Sequence, residues 1–313
     1  MRALVQMLGA DTAVASCIGG AQKIISPAPT YPFLLALRAQ SKPLLVITSS
    51  SRGAEDLASE LRELHQNVLE FPAWETLPHE RLSPRSDTVA RRLATLSTLA
   101  RKDLENPIVV APIRAAIHRF IADLATAPLQ TLEIGGEVDL TSLVEHLTQL
   151  AYTRTDLVEK RGEFAVRGSI MDLFPMGSDI PYRIELFDDE VESLRKFSPD
   201  TQISNDKVDA IRLLPGREYP LHPQAIASFR QAFREVFAVD VRKCPLYDDI
   251  SKGIASTGIE YYLPLFFPAL VTLFAYLPAK LNCYLYGDVH EGAEQFWREL
   301  RSRFEERRVD NER

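Results

Sequence analysis

EFAVRGSIMDLFP (Glu163–Pro175), followed by YRIELF (Tyr182–Phe187) and VESLRKF (Val191–Phe197), is the stretch on which the reading of this chain turns. Polar and apolar residues alternate along each run, the period of a half-buried β-strand. The turn-rich MGSDIP joins the first two runs, and the acidic turn Asp188, Asp189, Glu190 precedes the third, so together they predict an antiparallel meander. Read as one strand, Glu163–Pro175 sends Phe164, Val166 and Ile170 to one face and Glu163, Ala165, Arg167, Ser169 and Met171 to the other. In YRIELF, Tyr182, Ile184 and Leu186 share a face while Arg183, Glu185 and Phe187 share the opposite one. If the apolar sets form the core, Arg167 stands on the open face with Arg183, Glu185 and Phe187. An aromatic residue beside two arginines is the composition of an interaction hot spot. A solvated face with one exposed phenylalanine has the same composition, and the pattern alone leaves both readings open.

Upstream of about Ala127 the texture differs. PLLVIT (Pro43–Thr48) reads as a buried strand, Ser49 to Ser51 and Gly53 as a turn, and AEDLASELRELHQ as a helix with Leu57, Leu61 and Leu64 on one stripe. VLEF (Val68–Phe71), a helix from about Asp87 to Leu104, the strand PIVVAP and the helix IRAAIHRFI continue the series, which implies a parallel sheet covered by helices. LQTLEI and the helix DLTSLVEHLTQLAY lead into the meander. Beyond about Leu213 helices return: PQAIASFRQAFREVF carries Ile226, Phe229, Phe233 and Phe237 on one stripe. LNCYLY (Leu281–Tyr286) reads as a further buried strand, and EGAEQFWRELRSRFEERR as an amphipathic helix through Ala293, Phe296, Trp297, Leu300 and Phe304. The expected division is residues 1–127, 128–212 and 213–313.

With 313 residues and 46% hydrophobic content, the chain can bury the cores of two or three domains. Its formal net charge of -7 provides no domain-wide basic field, which disfavours tight non-specific DNA binding. Cys17, Cys244 and Cys283 lack the paired spacing of a zinc site and read as small core residues. The six histidines include no His-Glu-x-x-His, and Ser169 follows a glycine without the context of a nucleophile elbow. The longest apolar region is broken by Pro264, Pro268 and Pro278, and no basic segment followed by a long apolar run opens the chain, so a cytoplasmic location without a membrane span is expected. The charged, uncapped end of the last helix suggests a piece of a longer polypeptide.

Four stretches carry a resemblance: AWETLP (Ala73–Pro78), RLATL (Arg92–Leu96), the run from Arg161 to Arg195, and GIEYYLPLFF (Gly258–Phe267). Together, and in this order, they resemble the N-terminal module of the bacterial transcription-repair coupling factors (the Mfd family), which is itself similar to the excision-repair helicase UvrB. The resemblance implies an α/β fold: a helicase-like (RecA-like) parallel-sheet domain in two sequence pieces, 1–127 and 213–313, with an inserted antiparallel α+β domain, 128–212, that binds UvrA. It places Arg167, Arg183, Glu185 and Phe187 on the UvrA-facing segments. In the longer parent, RNA polymerase and DNA would be engaged by other domains, and ATP with magnesium would serve a DNA translocase there.

A helicase-type nucleotide site needs a glycine-rich loop whose backbone N–H groups wrap phosphate, a lysine, a hydroxyl and an acidic pair. Upstream of PLLVIT, where UvrB has that loop, this chain reads IISPAPTYPFLL: Pro27, Pro29 and Pro32 cannot donate, and Thr30 has no preceding lysine. After LNCYLY, where UvrB-type helicases continue Asp-Glu, Gly287 and Asp288 stand instead. These residues read as a degenerate nucleotide site, no catalytic residue or metal ligand is assigned, and the short connection ETLPHERLSPRSDTVAR replaces the DNA-threading hairpin of UvrB. The expected function is a non-catalytic module that recruits UvrA. The alternatives are a module that restrains its parent translocase and an active UvrB-like ATPase.

Overall fold

A computed structural model describes residues 25–309 except 79, 81, 123–129, 220 and 268, together with residues 5, 7 and 9. Cys17 and the expected boundary near Ala127 lie outside the described residues. The chain forms two compact units, one of Met1–Glu80, Thr95–Arg119 and Val271–Arg313, the other of Arg81–Ala94 and Phe120–Leu270.

The first unit holds a four-stranded parallel sheet built from β1 (Leu44–Thr48), β2 (Val68–Glu70), β3 (Ile108–Pro112) and, last in the chain, β14 (Asn282–Tyr286), in the order β14-β1-β3-β2. Every residue of β1 and β3 is buried, as expected of strands covered on both faces. Ser50 starts the helix Ser51–Leu64 by accepting the Gly53 N–H at 3.1 Å, and the Leu57, Leu61, Leu64 stripe packs against Leu44 and Val46. The helix thus begins three residues before Ala54, inside the expected turn.

Several expectations are corrected. IRAAIHRFI is helical only over Ile113–Ala116, because Phe120 and Ile121 are adjacent and both buried, and they form the short strand β4 instead. LNCYLY is an edge strand of the described sheet rather than a buried one: Tyr284 and Tyr286 pack inward while Leu285 is 53% exposed and Cys283 is exposed. Cys283 is therefore no core residue, and Cys244 is only half-buried. The last helix, Val289–Val309, leaves Trp297 and Phe304 exposed, while Phe296 lies under the Arg114 guanidinium at 4.8 Å.

In the second unit a six-stranded sheet runs β11-β10-β9-β8-β7-β6, comprising β6 (Thr153–Arg154), β7 (Glu163–Arg167), β8 (Ile170–Leu173), β9 (Tyr182–Phe187), β10 (Glu190–Phe197) and β11 (Ser204–Lys207). All neighbours are antiparallel except β6 and β7. A separate ladder joins β5 (Thr131–Glu133) to β12 (Ala210–Arg212). The short strand β13 is Leu270–Val271. Asp139 caps the helix Leu140–Gln149 by accepting the Ser142 N–H at 2.7 Å, and Leu143 and Leu147 cover the core face of the sheet.

EFAVRGSIMDLFP is not one strand. Gly168, with φ of +64°, opens a two-residue turn at Gly168–Ser169, and β7 folds back on β8 with Arg167 opposite Ile170 and Val166 opposite Met171. A two-residue turn pairs odd with even positions, so the phase inverts. Met171, expected on the open face, is fully buried, and Ile170, expected in the core, is 37% exposed. Phe164 and Val166 keep their expected side.

Residues 213–270, expected with the parallel sheet, are gathered with the antiparallel one. The Tyr152 hydroxyl donates to the Leu214 carbonyl at 2.9 Å, and Arg92 and Glu218, both fully buried, form a two-pronged ion pair. On the helix Pro223–Val236, Phe229 stacks on Phe266 at 4.8 Å and Phe233 meets Tyr247 at 5.3 Å, so the aromatic stripe is core packing. Phe237, just past the helix end, is half-exposed. Between Phe71 and Ser86 the described residues form no strand.

Candidate functional site

The meander places Arg167, Arg183, Glu185 and Phe187 on one face. Register aligns Arg167, Ile170 and Glu185 in one row across β7, β8 and β9, and Ala165, Asp172, Arg183 and Arg195 in the next across β7 to β10. Both rows lie opposite the core face, which holds Phe164, Met171, Leu173, Ile184 and Leu186. Phe187 ends β9 on the same side, immediately before the turn at Asp188, whose φ is +49°.

This second face has two zones. Toward one end Ala165, Phe174 and Phe197 close with Val158 into a small buried cluster. Toward the other it is open: Phe187 is 69% exposed, Ile170 37%, and the Arg167 side chain about half. Ile170 thus joins the candidate face, an assignment the linear alternation missed.

Between the zones lies Asp172, only 2% exposed, which the sequence reading did not single out. Arg183 donates to it through both prongs, Nε to Oδ1 at 2.7 Å and Nη2 to Oδ2 at 2.9 Å. Arg183 Nη1 also reaches the Gln202 carbonyl and the Ser204 hydroxyl, each at 3.3 Å, and the guanidinium lies 5.2 Å from the Phe197 ring centroid. Its side chain is 19% exposed, and its hydrogen bond to Asp172 raises its pKa above the ordinary arginine value. Four of the five Arg183 N–H donors are therefore used within its own chain. Arg167 is held more loosely: Nη2 donates to the Asp156 carbonyl at 2.6 Å, and Nη1 stands 3.5 Å from Asp172 Oδ2. One carboxylate thus serves two guanidinium groups, and Glu185 stands in register beside them.

Thr30, Gly287 and Asp288, expected to mark a degenerate nucleotide site, are in the first unit, and each carries a local structural task. The Thr30 hydroxyl donates to the Pro27 carbonyl at 2.6 Å within a tight turn. Asp288 caps the last helix, accepting the Glu291 N–H at 3.1 Å. Gly287 takes φ of +78° at the end of β14, a conformation that residues with a side chain rarely adopt. Close by in sequence, Gly292 brings the helix against β1's outgoing loop: a Cβ there would lie 2.7 Å from the Ser49 carbonyl oxygen. Among the described residues no group of three His, Cys, Asp or Glu side chains is placed to hold a metal ion. No described helix is long and apolar enough to cross a membrane.

The fold is an α/β unit on a parallel sheet together with an antiparallel unit that bears an open, charged and aromatic face, the architecture of a UvrB-type module. Residues 131–219, which include the whole face, match the family model described as the UvrB interaction domain. Over 273 residues the chain is 37% identical to the transcription-repair-coupling factor of Haemophilus influenzae, covering 85% of this chain and 23% of that protein. The Escherichia coli transcription-repair-coupling factor gives the same identity over 86% of this chain and 23% of its own length. That of Mycobacterium tuberculosis is 38% identical over 254 residues. By these matches the chain is a UvrB-homology module akin to that of the transcription-repair-coupling factors, and it spans under a quarter of the length of the curated relatives.

Proposed function

We propose that the chain serves transcription-coupled nucleotide excision repair as a non-catalytic recruiting module that docks UvrA through the open face of its antiparallel sheet. The observation that carries this reading is Phe187: a large aromatic residue 69% exposed at a strand end, on the same face as the half-exposed Arg167 and within the interaction-domain match. Exposed aromatics flanked by arginine are the composition of binding hot spots. Glu185 lies between them in register and would answer a basic group on the partner.

In a parent chain of the relatives' length, ATP and magnesium would be used by an ATP-driven DNA translocase in other domains, which would engage RNA polymerase and DNA and displace the stalled enzyme. This module would act in the cytoplasm, bringing UvrA to that place. The local tasks of Thr30, Gly287 and Asp288 support a module that contributes no nucleotide chemistry. The test is calorimetric titration of purified UvrA with the chain and with its Arg167→Ala and Phe187→Ala variants. Both variants are expected to lose most of the binding, and variants that bound like the parent sequence would overturn the assignment of this face.

A further inference from the structure

We propose that the outward side of the helix Pro223–Val236 is a second docking surface, fitted to an acidic helical segment of a partner protein. It belongs to the second unit and shares no residue with the open face of the sheet.

The helix turns its apolar side inward, burying Ala225, Phe229 and Phe233. Away from that side, Ala227, Arg230, Gln231, Arg234 and Glu235 line an open groove of about 460 Å³. Ala227 is the small residue among them, which lets another backbone come close. Arg230 and Arg234 stand one turn apart, about 6 Å along the axis, and both are exposed. The buried Tyr247 orients them: its hydroxyl accepts from Arg230 Nε at 3.4 Å, and its ring centroid lies 5.5 Å from the Arg234 guanidinium. Neither arginine forms an ion pair with a described residue, whereas Arg242 is held by Asp240 at 3.0 Å and Lys252 by Asp248 at 2.5 Å. Gln231 donates to Glu235 at 2.9 Å, which engages the carboxylate of the groove. Phe237 continues the stripe of Arg230 and Arg234 at helical spacing. It leans on Phe233 at 4.7 Å and stays half-exposed, with Val236 and Val239 exposed beside it in sequence.

An occupant that answers all of these groups supplies carboxylates one helical turn apart and an apolar residue beyond them, the pattern of an acidic amphipathic helix. A nucleic-acid backbone answers the arginines alone. Glu235 would repel it, the exposed valines would meet no apolar group, and the net charge of -7 adds no supporting field.

Fluorescence anisotropy of a labelled synthetic helical peptide, with two glutamates one turn apart and a leucine one turn to either side, tests the proposal. The chain is expected to bind it saturably. It should bind an oligothymidylate, and the same peptide with glutamines for the glutamates, at least about tenfold more weakly. Arg230→Gln with Arg234→Gln should weaken binding of the glutamate peptide at least about tenfold. Ala227→Glu should do the same, because it fills the groove and gives Arg230 a carboxylate on its own helix, three residues away. All three positions are exposed, so the melting transitions of these variants should stay near that of the parent sequence. Lack of saturable binding, folded variants that bind within twofold of the parent sequence, or tighter binding of the oligothymidylate would each overturn the proposal.

Discussion

Replacing Phe187 by alanine separates docking from folding more cleanly than any other change on the sheet. The side chain is 69% exposed and ends its strand, so the fold gains little from it. A surface substitution of this kind shifts stability by no more than about 0.5 kcal/mol. A phenylalanine has roughly 200 Å² to bury, so about 140 Å² of this one awaits a partner, worth about 3.5 kcal/mol at ~25 cal/mol per Å². Alanine retains part of that area, and ordering the ring at an interface costs part of the gain, which leaves a loss of about 2 kcal/mol. That loss is about a 30-fold rise in Kd. Calorimetric titration of UvrA measures the binding, and differential scanning calorimetry of the free chain measures the fold. An unchanged melting transition with binding weakened by one to two decades is expected. A Kd within twofold of the parent sequence would refute the reasoning, and so would a variant that bound poorly only because it had unfolded.

Three further outcomes follow from the geometry. Met171→Ala should destabilise the antiparallel unit by about 2–5 kcal/mol as a core truncation, while Ile170→Ala should cost under about 1 kcal/mol in a urea titration yet weaken UvrA binding; the reverse order would contradict the hairpin register. Asp288→Ala removes a helix cap and should cost about 1 kcal/mol, and titration of Mg-ATP into either form should show no binding, whereas saturable magnesium-dependent heat would reinstate a working nucleotide site. Burial raises the pKa of Glu260, whose Oε2 accepts the Ser83 hydroxyl at 3.0 Å, and Glu218 nearby adds to the rise. A carboxyl group with a raised folded-state pKa contributes stability below its ordinary value of 4.5 that is lost as pH climbs through the folded value. Glu260→Gln should therefore raise the melting temperature at pH 7 more than at pH 4, and equal effects at both would count against the burial argument.

How far the fold can be read from the sequence depends on where each segment's apolar residues find cover. PLLVIT and PIVVAP are legible because central parallel strands are apolar throughout, and any register buries them. The 3.6-residue stripe of Leu57, Leu61 and Leu64 is equally explicit, and Ser50 caps it. IRAAIHRFI is not legible in this way: burial of both Phe120 and Ile121 in a short strand overrides the helical promise of its last five residues. LNCYLY has the composition of a core strand, but only its position at the edge of the described sheet explains why Leu285 and Cys283 face out. Edge and centre are properties of topology, which alternation does not encode.

The candidate site was legible in part, and its missing members left a trace. YRIELF contains no glycine, so its period of two assigns Arg183, Glu185 and Phe187 to their shared face unaided. EFAVRGSIMDLFP contains Gly168 before Ser169, a two-residue turn signal that a single-strand reading passes over. The cost of passing over it shows at Asp172. Unbroken alternation from Phe164 puts this acid among the core residues, an unpaired charge in an apolar layer, which is the arrangement a folded chain avoids most strongly. Inverting the phase at the glycine removes the conflict at once: Met171 enters the core, Ile170 leaves it, and Asp172 arrives opposite Arg183. A misplaced charge and a glycine four residues before it were enough to locate the hairpin, and with it the carboxylate that the two arginines share.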